Sequence, residues 1–209
     1  MDKQKYEADP RAYWDLTRPE GESINSINER DPRGMALWVA HVFPEILANP
    51  GRDICLDLGC GGGRYIPQAA LQFKKVIGID FSVSNLETAQ SSLSSLGIPN
   101  VEFCNSDLGD MLGFSEAYAD FAYSMAVFMH MPNDTKRRAL KELHRVLKPE
   151  GIAVLVEIVP ISPGAFDCPD IEEWEWEDMI AEAGLKIVDI ESADPFMKYK
   201  LRRAQGEGK

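Results

Sequence analysis

The stretch ICLDLGCGGGRYI, residues 54 to 66, constrains the fold more than any other part of the chain. An apolar run ends at Asp57 and Leu58, enters Gly59, Gly61, Gly62 and Gly63, and meets Pro67 just beyond. Proline is accepted in the first turn of a helix, so the pattern reads as strand, tight turn and helix. Glycine supplies the backbone conformations that a side chain forbids and lets a ligand come close to the main chain. The helix that follows presents unpaired amides and a partial positive charge, which suit a carboxylate as well as a phosphate.

From residue 53 onward, short apolar runs alternate with amphipathic segments, the pattern of β-α-β units around a parallel sheet. The strand candidates are residues 53–58, 75–80, 101–106, 118–125, 151–159, 185–191 and 195–203, several apolar nearly throughout, as strands covered on both faces should be. Ser84 with Glu87 predicts a capping box for a helix burying Leu86, Ala89, Leu93 and Leu96 and stopped by Gly97. Asp134 is the expected cap of a helix with Ala139, Leu140, Leu143 and Leu147 on one face. Asp170 with Glu173 predicts a second capping box ahead of Trp176, Met179, Ile180 and Ala183. Nearer the start, Asp31 and Pro32 open a helix with Met35, Trp38, Val39, Val42 and Ile46 at helical spacing, kinked at Pro44. The expected organisation is an amino-terminal helical cap over residues 1–50, an α/β domain over 51–204 and a disordered tail at 205–209. Tyr6, Tyr13, Trp14 and Arg18 have no core of their own, so residues 1 to 30 are expected to pack as a lid.

At 209 residues the chain fits one domain, and its net charge of -12 disfavours nucleic acid and other polyanions as partners. The start, MDKQKYEADP, lacks an apolar signal core, and no run of about 20 apolar residues occurs. A cytoplasmic protein, not bound to membrane, is expected, monomeric or homodimeric. Cys55, Cys60, Cys104 and Cys168 form no CxxC pair and have no His at ligand spacing, so no metal site is expected.

A dinucleotide-binding loop would place its third glycine where Arg64 stands. DLGCGGG instead resembles the DxGxGxG loop of class I S-adenosylmethionine (SAM)-dependent methyltransferases. The resemblance continues through VIGIDFS, with Asp80 at the end of the second strand, and CNSDLGDM, with Asp107 after the third. It covers roughly residues 50 to 200 and implies a doubly wound, seven-stranded, mainly parallel sheet of order 3-2-1-4-5-7-6 with the last strand antiparallel. It further implies SAM as cofactor. Asp57, Gly59, Cys60, Gly61, Gly63 and Arg64 would face its amino-acid end, Asp80 with Phe81 and Ser82 its ribose, and Asp107, Leu108 and Met125 its adenine side. The expected reaction is in-line methyl transfer to the O, N or S nucleophile of a small molecule. Candidate bases are His130 after the fourth strand, Glu157 at the end of the fifth, and Tyr13. A protein or RNA methyltransferase, or a catalytically silent SAM-binding protein, are the alternatives; SMAVFMHM stands where an NPPY-like segment would mark base methylation.

Overall fold

The structure, a computed structural model, describes residues 29, 31–49, 51–111, 113–159 and 171–204. In chain order the elements are α1 (Pro32–His41), α2 (Phe43–Ala48), β1 (Ile54–Leu58), α3 (Ile66–Ala70), β2 (Lys75–Asp80), α4 (Val83–Ser95), β3 (Val101–Asn105) and β4 (Ala119–Met125). A 3-10 turn (Phe128–His130), α5 (Asn133–Val146), β5 (Leu147–Glu157), α6 (Glu173–Glu182), β6 (Leu185–Ala193) and β7 (Phe196–Arg203) follow.

The strands form one seven-stranded sheet in the order β3-β2-β1-β4-β5-β7-β6. The pairs from β3 across to β5 are parallel, whereas β7 runs antiparallel to both β5 and β6. This is the expected doubly wound architecture. One face buries Leu56, Leu58, Ala122 and Leu155 under Leu140 and Leu143 of α5 and Trp176 and Ile180 of α6. The other buries Cys55, Val76, Phe121 and Val154 under Trp38, Ile46, Ile66 and Leu93. Both faces being covered explains why the central strands are apolar at nearly every position.

Several helix ends depart from expectation. The cap of α4 is Ser82, whose hydroxyl accepts from the Asn85 amide at 3.2 Å, and Ser84 lies inside the helix. Two serines two residues apart offer the same local signal, and the Asp80 carboxylate, accepting from the Ser82 amide at 2.9 Å, selects the earlier one. Leu96 is exposed. Helix α5 starts at Asn133 with Asp134 in its first turn, where it favours the helix dipole without capping it, and the chain turns straight into β5 at Leu147. Helix α6 is capped at Glu172, whose amide donates to the Glu175 carboxylate at 3.0 Å; Asp170 lies outside the described residues. Asp31 caps α1 as expected, accepting from the Gly34 amide, and α1 breaks at Val42, ahead of Pro44. Val39 points outward. No helix among the described residues is long and apolar enough to cross a membrane. Cys55, Cys60 and Cys104 are free thiols, and Cys168, like the tail at 205–209, falls outside the described residues.

Candidate active site

The parallel strands end together at one edge of the sheet, and there the loop after β1 makes a tight cradle. Gly59, Gly61 and Gly63 have φ of 75°, 51° and 78°, left-handed values that other residues reach only under strain. The Gly59 and Cys60 amides both donate to the Ile79 carbonyl, at 2.8 and 3.0 Å, and the Gly61 amide donates to Asp80 Oδ2 at 2.8 Å. The loop is therefore held from β2 as well as from its own strand. A side chain at Gly59 would put its Cβ 2.5 Å from Val127 Cγ1, so the residues after β4 close directly on this turn.

Asp57 is 2% exposed and stands opposite Tyr123 in the β1–β4 register, with the Tyr123 hydroxyl donating to Asp57 Oδ2 at 2.9 Å. Burial pushes the Asp57 carboxyl up to about 7, the Tyr123 hydroxyl pulls it back, and the nearby charge of Asp80 adds to the rise. Trp38 of α1 lies 5.9 Å from both Tyr65, which it stacks on, and Tyr123, which it meets edge-on. The helical cap thus forms an aromatic wall behind Asp57.

Asp80 Oδ1 accepts from the Ser82 amide at 2.9 Å and Oδ2 from the Gly61 amide at 2.8 Å, so this carboxylate ties the loop after β1 to the start of α4. Asn85 adds its Nδ2, 3.5 Å from Asp80 Oδ1, and its own buried Oδ1 has no protein partner. Phe81 is half-buried beside it. The Ser106 amide donates to the Asp80 carbonyl at 3.1 Å, bringing the end of β3 alongside, and Asp107 Oδ1 there accepts from the Gly109 amide at 2.8 Å. Leu108 is buried, and Met125 is half-buried at the end of β4. Arg64 points to the cap: its guanidinium pairs with the Asp31 carboxylate at 2.8 Å, donates also to the Asp31 carbonyl, and covers the Tyr65 ring.

His130 ends the 3-10 turn, where burial and then the Lys136 charge lower its imidazole to about 4, so it is neutral at physiological pH. Glu157, 1% exposed, accepts from the Ser124 hydroxyl at 2.9 Å, the Val127 amide at 3.2 Å and the Met129 amide at 3.1 Å. Burial raises its carboxyl, and these donors oppose the rise. Behind the turn, Phe128, Met129, Ile158, Val159, Ile171 and Trp176 line a narrow cleft together with Lys136 and Glu157. Tyr13 lies outside the described residues.

Residues 56–155 match the family described as "Methyltransferase domain". The chain is 32% identical to the O-methyltransferase resE of Aspergillus sclerotiorum over 92% of its own length and 75% of that protein's. It belongs to the class I SAM-dependent methyltransferases. The cofactor of this methyltransferase is SAM. A 2-phytyl-1,4-naphtoquinone methyltransferase of Nostoc sp. is 38% identical over 70% of the chain and 63% of the relative. The crystal structure of a SAM dependent methyltransferase from Aquifex aeolicus superposes with a TM-score of 0.67 at 22% identity, covering 85% of this chain and 95% of that one, and shares the fold. The chain spans 50% to 63% of the length of the first curated relatives it matches.

The residues present fit the cofactor. Asp57 near the end of β1, Asp80 as the last residue of β2 and Asp107 just after β3 bring three carboxylates to the same edge of the sheet, beside a turn of left-handed glycines, as a cationic ligand with amino and hydroxyl groups requires. Tyr123 and Asn85 are the additions that the sequence reading missed. A tyrosine inside the otherwise closed strand ADFAYSM was the available signal, because a buried phenol needs a hydrogen-bond partner.

Proposed function

We propose that the chain transfers the methyl group of SAM to an O, N or S nucleophile on a small, partly apolar molecule, in the cytoplasm. The observation that carries this reading is the cradle: left-handed glycines after β1, with Asp57, Asp80 and Asp107 after three adjacent strands. In it Asp57 holds the α-amino group, Asp80 with Ser82 and Asn85 the ribose edge, and Asp107 with Leu108 the adenine. Bound there, SAM supplies an electrophilic methyl on a sulfonium, and the chain's part is to align the acceptor and exclude water.

Relatives named as an O-methyltransferase and a naphthoquinone methyltransferase support a small acceptor. His130 is the proton acceptor in this reading. Lid residues 1 to 30, Tyr13 among them, would help choose the acceptor.

Incubation with methyl-labelled SAM and a metabolite extract tests the reading. Label in a small product supports it; label only in protein or RNA would move the function to macromolecular methylation.

A further inference from the structure

We infer that Glu157 is a positioning residue for methyl transfer: its buried carboxylate fixes the turn after β4, which walls the cofactor loop through Val127 and carries His130. For the cofactor readout below, the inference rests on the proposed function.

The turn does not hold itself. Ala126 has φ 56°, a left-handed value that strains a non-glycine residue and persists only where neighbours impose it. The imposition comes from the end of β5. The Ala126 amide donates to the Val156 carbonyl at 2.8 Å, and the next residue of β5, Glu157, takes the donors on either side of the bend. Its Oε1 accepts from the Ser124 hydroxyl and the Val127 amide, and its Oε2 from the Met129 amide. Those donors belong to the last turn of β4 and the 3-10 turn, so one side chain fastens both sides of the strained residue. The His130 amide then donates to the Val127 carbonyl at 3.0 Å, which places the imidazole one hydrogen bond from the clamp.

The same clamp reaches the cofactor side. Val127 stands so close to Gly59 that no Cβ fits between them. A carboxylate fits this duty because it accepts at both oxygens and donates nothing; an amide of the same size must turn an NH2 group toward one of the donors. A carboxylate with its oxygens given to three protein donors is also poorly suited to take a proton from an acceptor.

The experiment compares Glu157→Gln, Glu157→Asp and wild type by amide hydrogen exchange at residues 124–131, calorimetry with S-adenosylhomocysteine, and the pH profile of kcat/KM with the acceptor that the labelling experiment identifies. Glu157→Gln should speed exchange at Val127 and Met129 and weaken S-adenosylhomocysteine by about tenfold, the scale of one buried donor left unpaired. The pH profile should keep its shape. Glu157→Asp, too short to reach both amides, should resemble it. Unchanged exchange and affinity in Glu157→Gln would overturn the inference. So would a loss of kcat and of one limb of the pH profile with exchange and affinity intact, which would make Glu157 the base. Should Glu157→Gln not fold, Val127→Ala replaces it, with weakened S-adenosylhomocysteine binding expected and unchanged affinity counting against the coupling to Gly59. Wild type that binds no S-adenosylhomocysteine would defeat the proposed function, while the exchange experiment still decides the clamp.

Discussion

The two ends of the same parallel strands treat their acidic residues in opposite ways. At the amino-terminal end, Asp120 accepts from the Asp53 and Ile54 amides at 3.1 and 2.9 Å and from the Lys148 ammonium at 2.7 Å, while Asp53 pairs with Lys74 at 2.6 Å. Both of these acids have a cation, and Asp120 ties β1, β4 and β5 together. At the carboxyl-terminal end, Asp57 receives a phenol, Asp80 receives backbone amides and the Asn85 side chain, and Asp107 receives the Gly109 amide. Burial first, and then the nearby charge of Asp80, raise the Asp57 carboxyl to about 7. A cationic sulfonium with an ammonium group carries the charge opposite to these acids.

The largest expected effect breaks the functional end. Asp80→Ala removes the ribose acceptor and strands the Gly61 and Ser82 amides, so calorimetry should show S-adenosylhomocysteine affinity down by about 100-fold. Equal affinity in a folded variant would refute the assignment of that end. Next in size, Asp120→Ala breaks the structural end: denaturant unfolding should show a loss of about 2 kcal/mol, with cofactor affinity unchanged.

A pH titration sharpens the contrast. Folding raises the Asp57 carboxyl from 3.8 to about 7, so the native chain holds a proton that the unfolded chain lacks across that window, and this residue's contribution to stability falls as pH rises through it. The cofactor ammonium needs the ionised form, so binding runs the other way, about tenfold weaker at pH 6 than at pH 8. Asp57→Asn should abolish the step, weaken binding and raise the melting temperature at pH 8. Tyr123→Phe, by removing the donor that lowers Asp57, should move the step to higher pH. A binding constant flat from pH 6 to 8 would contradict this. The smallest effect is at the exposed Lys74–Asp53 pair, where Lys74→Ala should leave the melting temperature unchanged within error.

The glycine turn and the acids beside it were legible because their requirements are local. Left-handed turns demand glycine at fixed spacing, and an acid at the end of each strand sits at a position that strand length alone defines. The strands themselves came from apolar runs, and the sheet order followed the family resemblance. What depends on register or distant packing was hidden. Tyr123 faces Asp57 because β1 and β4 align those two residues, Glu157 meets Val127 and Met129 because β5 ends beside β4, and Arg64 turns to Asp31, 33 positions away. One helix cap was hidden for a smaller reason: Ser82 and Ser84 present nearly the same local chemistry, and the Asp80 carboxylate, outside the helix, favours the first.

The most direct test is a crystal of the chain grown with S-adenosylhomocysteine. The account predicts the amino-acid end against Asp57 and the glycine turn, the ribose hydroxyls on Asp80 and the adenine beside Asp107. A nucleoside bound elsewhere, or a turn left unchanged and empty at saturating ligand, would contradict it.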